Sequence, residues 1–104
     1  MPNRATLVLI FLISTIKADI IISGTIKDSK SGEPVPMVNI FDEISETGTT
    51  SNEKGFFTLS VIDQSRLEVS VKHIAYDNHF QIFNESDTSV FILMDETLLQ
   101  MNDV

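Results

Sequence analysis

Few residues in this chain have the types and spacing that chemistry demands. His73 and His79 are the only histidines, they flank a bend, and neither HxH nor HxxxH spacing occurs. Zinc usually takes three or four protein ligands with local pairing, so a surface or bend role suits these two better than metal binding. Glu43 with Glu46 and Asp95 with Glu96 could in principle work as paired carboxylates. They fall in a loop and a tail, where acids are ordinarily just solvated. The oxygen-rich run Asp42-Glu43-x-x-Glu46 has the ligand type that calcium prefers, but it lacks EF-hand spacing. Neither a Ser/His/acid nor a Cys/His set is suggested by the order of residues, and no Gly-rich phosphate loop is present. Phe56, Phe80, Phe83 and Phe91 could include an exposed aromatic pair able to stack a sugar. Core packing is the expectation for most of them, and Phe56 is the exception because its parity is opposite to that of Phe57, Leu59 and Val61.

The elements that would position these residues all read as strands. Asp19–Lys27 has Ile20, Ile22, Gly24 and Ile26 on one parity. The stretch Asp28-Ser-Lys-Ser-Gly32-Glu-Pro34 is a turn, in which Asp28 and Ser29 can accept backbone hydrogen bonds and Gly32 supplies positive φ. Pro34 and Pro36 keep Val35 extended and deny it ladder neighbours, as at a sheet edge. Met37–Phe41 is a short second strand and the β-branched Thr47–Ser51 a third, with the acidic loop Asp42–Glu46 between them. Asn52-Glu-Lys-Gly55 reads as a hairpin turn with Gly55 in the left-handed position.

Phe56–Ile62 follows, with Phe57, Leu59 and Val61 on one face. Arg66–His73 alternates most clearly: Leu67, Val69 and Val71 face inward, and Glu68, Ser70 and Lys72 face out. A bend at Ile74–Asn78 precedes His79–Phe83, and Ser89–Met94 is the last strand. Seven short strands at regular spacing, without an amphipathic helix, predict an all-β sandwich with Greek-key connections.

The 104 residues suffice for one such domain, residues 19–94, preceded by a segment of another kind. Arg4 leads into an apolar stretch from Ala5 to Ile16, and Lys17-Ala18 offers a small residue at a cleavage point. That stretch is too short for a membrane-spanning helix of about 20 residues and fits a signal-peptide core, so residues 1–18 are expected to direct export. Loss of Arg4 and Lys17 with them would lower the formal net charge from −8 to −10. Such a surface repels nucleic acid and anionic membranes. With no cysteine, the domain can neither carry a lipid anchor on sulfur nor rely on disulfides, and its core must hold it together.

The ordered set Gly24, Ile26, Asp28, Gly32 and Pro34, then Val38-Asn39-Ile40, resembles the opening of the carboxypeptidase regulatory-like domain, a transthyretin-like, Ig-like sandwich. Gly48-Thr49, then Asn52 and Gly55, then Phe57-Thr-Leu59 match its next strand pair, and Leu67–Val71 with Tyr76 match the strand and aromatic bend that follow. Ala75 stands where a glycine is common in that bend, and Asn52 where aspartate is commoner. The resemblance implies the fold more firmly than any activity, because such sandwiches serve many roles.

The 95–104 segment is expected to be a tail. Its Leu98-Leu-Gln-Met-Asn-Asp103-Val104 is similar to the sequence leaving this domain in TonB-dependent outer-membrane receptors of the Bacteroidetes type, and Asp103-Val104 would begin the TonB-box. That similarity implies a non-catalytic, cofactor-free accessory domain in the periplasm at the outer membrane, serving nutrient uptake. Its partners would be proteins: the TonB system or the receptor's own plug and barrel. The alternative is a free-standing secreted or cell-surface module for carbohydrate or protein. A transthyretin-like hydrolase would need a catalytic cluster, and the sequence suggests none.

Overall fold

A computed structural model describes residues 19–85 and 87–98. The expected signal segment 1–18 and the Asp103-Val104 pair lie outside the described residues. Among the described residues seven strands are formed: β1 (Ile20–Asp28), β2 (Asn39–Asp42), β3 (Thr47–Thr50), β4 (Phe56–Val61), β5 (Arg66–Lys72), β6 (His79–Asn84) and β7 (Ser89–Met94). They make two sheets, β4-β1-β7 and β3-β2-β5-β6, so the chain changes sheet after β1, β3, β4 and β6. The result is the expected all-β, Ig-like sandwich.

Alternation in the sequence becomes alternation in burial. Ile20, Ile22 and Ile26 of β1, Phe57, Leu59 and Val61 of β4, and Ile92 and Met94 of β7 turn inward from one sheet. Ile40 of β2, Leu67, Val69 and Val71 of β5, and Phe83 of β6 meet them from the other. A side-chain period of two allows this only in one register, since a one-residue slip would carry Glu68 and Lys72 into the core. Gly24 occupies an inward position of β1 because the Phe57 ring fills the space there: a Cβ on Gly24 would lie 2.5 Å from that ring.

The connections depart from the sequence reading in three places. Gly55 has φ +77° and Gly32 φ +75°, as their turns require. The Asn52–Gly55 turn, however, joins no hairpin: β3 pairs with β2 and β4 with β1, so the turn is a corner that carries the chain from one sheet to the other. Val35 does find a neighbour, its N–H donating to Ile26 O at 3.0 Å, and it is buried with Val38 in the core. Ser51 binds this irregular stretch to the corner. Its buried hydroxyl donates to Val35 O at 2.8 Å and accepts from Val38 N–H at 3.0 Å. The third departure is that β1 and β7 run parallel, Ser23 opposite Ser89 through Asp28 opposite Met94.

Candidate functional site

The sandwich presents a polar anchor near the exit of the last strand, a buried carboxylate at the end of β2, and two aromatic outer faces. At the first, Asp28 ends β1 and its carboxylate is almost fully engaged. Oδ1 accepts from the backbone N–H of Lys30 (2.8 Å) and Ser31 (2.9 Å), and Oδ2 accepts from the Tyr76 hydroxyl at 2.8 Å. The N–H donors of Ser31 and Lys30, with the Tyr76 hydroxyl, hold this carboxyl down at about 2. Burial, with the hydrogen bond to Asp28, pushes the Tyr76 phenol up to about 12.

Around this pair, Asp95–Thr97 bond back onto the bend. Asp77 N–H donates to Asp95 O, Thr97 N–H to Ala75 O, and the Ser29 hydroxyl to the Asp95 carboxylate. The chain therefore leaves β7 along a fixed path. His73 supports the same bend: its Nδ1 accepts from Ala75 N–H, and its ring lies edge-on to Tyr76 at 5.3 Å.

The linkage has a definite sign. A carboxyl whose folded pKa is depressed from 3.8 to about 2 adds stability above about pH 4 that disappears as pH falls toward 2. Tyr76, raised from 10.0 to about 12, adds stability below pH 10 that is lost as pH climbs through 12. Tyr76→Phe removes one donor from Asp28, so the variant should show a shallower acid limb than the wild type when melting is followed from pH 5 to 2. Superimposable acid limbs would remove Tyr76 from this account.

At the second place, Asp42 was expected in a solvated acidic loop, yet it is fully buried. The period of β2 turns it inward, and its oxygens satisfy the turn that follows. Oδ2 accepts from the Ser45 N–H (2.8 Å) and hydroxyl (2.6 Å), and Oδ1 from Glu68 N–H at 2.8 Å. Burial raises its carboxyl, but the hydrogen bonds from Ser45, Glu68 and Ile44 outweigh that and hold it below the usual range. This carboxylate is an internal cap, with its lone pairs already committed. Glu43 turns away and accepts from the Ser70 hydroxyl at 2.9 Å, so the acids of this loop do not converge. His79 pairs with Gln81, apart from His73. Among the described residues no group of three or more His, Asp or Glu side chains gathers in a way that could hold a metal.

The aromatic residues divide differently from expectation. Phe83 is core, but Phe80 and Phe91 join Phe56 on the surface, each at least half exposed. Phe80 and Ile82 lie in β6, an edge strand whose first four residues stand clear of the core. Phe56 and Phe91 face outward from the β4-β1-β7 sheet on either side of Thr25, which pairs with both. The sequence shows the parity of Phe56; only the pairing of β1 with both neighbours brings Phe91 beside it. The β3-β2-β5 outer face carries a broad shallow groove of about 700 Å³, lined by Asn39, Phe41, Glu43, Thr50, Ser70 and Lys72 among others.

The family described as the CarboxypepD_reg-like domain matches residues 22–104. No curated protein matches the chain. Among solved structures, the crystal structure of 3-chlorocatechol 1,2-dioxygenase from Rhodococcus opacus 1CP superposes with a TM-score of 0.59 at 10% identity. The match covers 81% of this chain and 62% of that one, less than two thirds of its length. At that identity the likeness is one of fold alone, and the dioxygenase activity stays with the dioxygenase. The motif residues Gly24, Asp28, Gly32, Pro34, Gly48, Asn52, Gly55 and Tyr76 all fall within the matched span, and with the two-sheet architecture they make the assignment direct: the chain belongs to the carboxypeptidase regulatory-like domain family.

Proposed function

We propose that this domain is a non-catalytic accessory module at the periplasmic N-terminus of a TonB-dependent outer-membrane receptor, acting in nutrient uptake through protein contacts. The observation that carries the reading is the anchored exit. Asp95–Thr97 are bonded to the Ala75–Asp77 bend beside Asp28 and Tyr76, so this segment leaves the sandwich from one defined corner. A domain that merely tethered its neighbour would not need such a fixed corner. The similarity of the 98–104 segment to the sequence leaving this domain in TonB-dependent receptors, with Asp103-Val104 as the start of a TonB-box, and the acidic surface, which suits a soluble compartment, support the same reading.

The coding sequence beyond Val104 tests it. A short extended apolar stretch should follow, then a plug and a long series of alternating strands able to form a barrel. Intact-protein mass should show the mature chain starting near Asp19. A stop codon directly after Val104, with the mass of the natural protein agreeing, would overturn the receptor reading and leave the free-standing secreted or surface module.

A further inference from the structure

The outer face of the β4-β1-β7 sheet holds a second groove, of about 380 Å³, lined by Thr25, Lys27, Pro34, Glu53, Lys54, Phe56 and Phe91. Neighbouring strands lie about 5 Å apart, so Phe56 and Phe91 rise about 10 Å from one another with the short Thr25 side chain as the floor between them. Both rings are exposed, Phe56 at 50% and Phe91 at 61%. Two of the few cations in a strongly acidic chain also line this groove. Neither Lys27 nor Lys54 takes part in an ion pair among the described residues, where Arg66–Glu68 is the one formed.

From this arrangement we infer a binding site for a carboxylate-bearing saccharide, a hexuronate. The C–H-rich face of a pyranose ring packs against the negative face of an aromatic ring. Paired phenylalanines over a small floor suit such a ring, and the volume falls within the range of small-ligand sites. The two ammonium groups outnumber the one carboxylate of the lining, Glu53, and supply the counter-charge that a neutral sugar would leave unused. An extended acidic peptide fits less well. At Thr25, β1 is hydrogen-bonded on both sides, to β4 and to β7, so the face offers no free backbone groups. A peptide lying across it would lose water from its own amides without replacement. This site would serve a receptor domain and a free-standing module alike, so its failure leaves the receptor reading standing, and the reverse.

The test is a titration of the 15N-labelled full chain with trigalacturonate, alongside its methyl ester and an acidic peptide of similar length. Trigalacturonate should bind saturably, with amide shifts centred on Thr25, Lys27, Lys54, Phe56 and Phe91. The methyl ester keeps the ring faces and loses the charge, and should bind about tenfold more weakly. Phe91→Ala and Lys27→Gln should each weaken binding by about fivefold or more with an unchanged circular dichroism spectrum, whereas Lys72→Gln, on the other sheet, should not. No saturation by about 10 mM would overturn the assignment. So would equal affinity for the ester, tighter binding of the peptide, or shifts centred on the β3-β2-β5 face.

Discussion

Replacing Gly55 with valine is expected to lower the melting temperature by more than about 10 °C. Two costs combine. At φ +77° an L-residue suffers roughly 1–2 kcal/mol of steric strain. A Cβ there would also collide with the carbonyl oxygen of Ile26, a backbone atom of the central strand that cannot swing aside. That same neighbourhood holds the β1–β4 junction together, since Ile26 N–H donates to Gly55 O at 2.8 Å. The total should reach about 3–5 kcal/mol, a large share of the stability of a domain this small. Glu53→Ala, two residues away on the exposed side of the same corner, should stay within about 0.5 kcal/mol. Equal losses in the two variants would show that the corner does not depend on a left-handed residue.

Asp42→Ala should be the next most damaging change, at about 3 kcal/mol or more by urea unfolding at neutral pH. Alanine leaves the half-buried backbone N–H groups of Ser45 and Glu68, and the Ser45 hydroxyl, without their acceptor, and each such loss costs about 1 kcal/mol or more. Asp42→Asn keeps one carbonyl oxygen and should recover part of the loss. The slope against urea should be unchanged, because the buried surface is the same. A loss under about 1 kcal/mol for alanine would mean that water replaces the carboxylate at no cost and that Asp42 is not the cap described.

Local pattern made the strands legible and long-range pairing hid the sheets. The inward sets Leu67-Val69-Val71 and Phe57-Leu59-Val61 could be assigned because a period of two is written in consecutive residues. Gly55 and Gly32 could be assigned because left-handed turns select glycine wherever they occur. Which strands neighbour one another is decided by contacts distant in sequence. The corner at Asn52–Gly55 therefore looked like a hairpin, and nothing in Ser89–Met94 announced a parallel partner in β1. Asp42 misled for a related reason. A carboxylate beside two glutamates reads as solvated, and its burial depends on Glu68 N–H, which arrives from another strand. Asp28 and Tyr76 were each visible as motif residues, but their contact spans 48 positions and needs the bend, the exit segment and β1 in place at once. The aromatic groove was half visible: the parity of Phe56 placed it outside, while Phe91 was assigned to a core that Ile92 and Met94 fill instead.

The parallel pairing of β1 with β7 has a mechanical consequence. Chain entry and exit lie at opposite ends of one ladder, so a pull applied between Ile20 and Met94 runs along the strands. Such a load drags β1 and β7 past each other in shear. The bonds from Ser23–Ser89 to Asp28–Met94 then bear it together instead of opening one at a time as in an unzipped hairpin. The domain should yield at high force in a pulling experiment and at much lower force when the load is moved to β6, whose antiparallel hairpin with β5 can be peeled from one end. A sandwich wired this way can sit in series in a chain under tension and pass the load onward without unfolding.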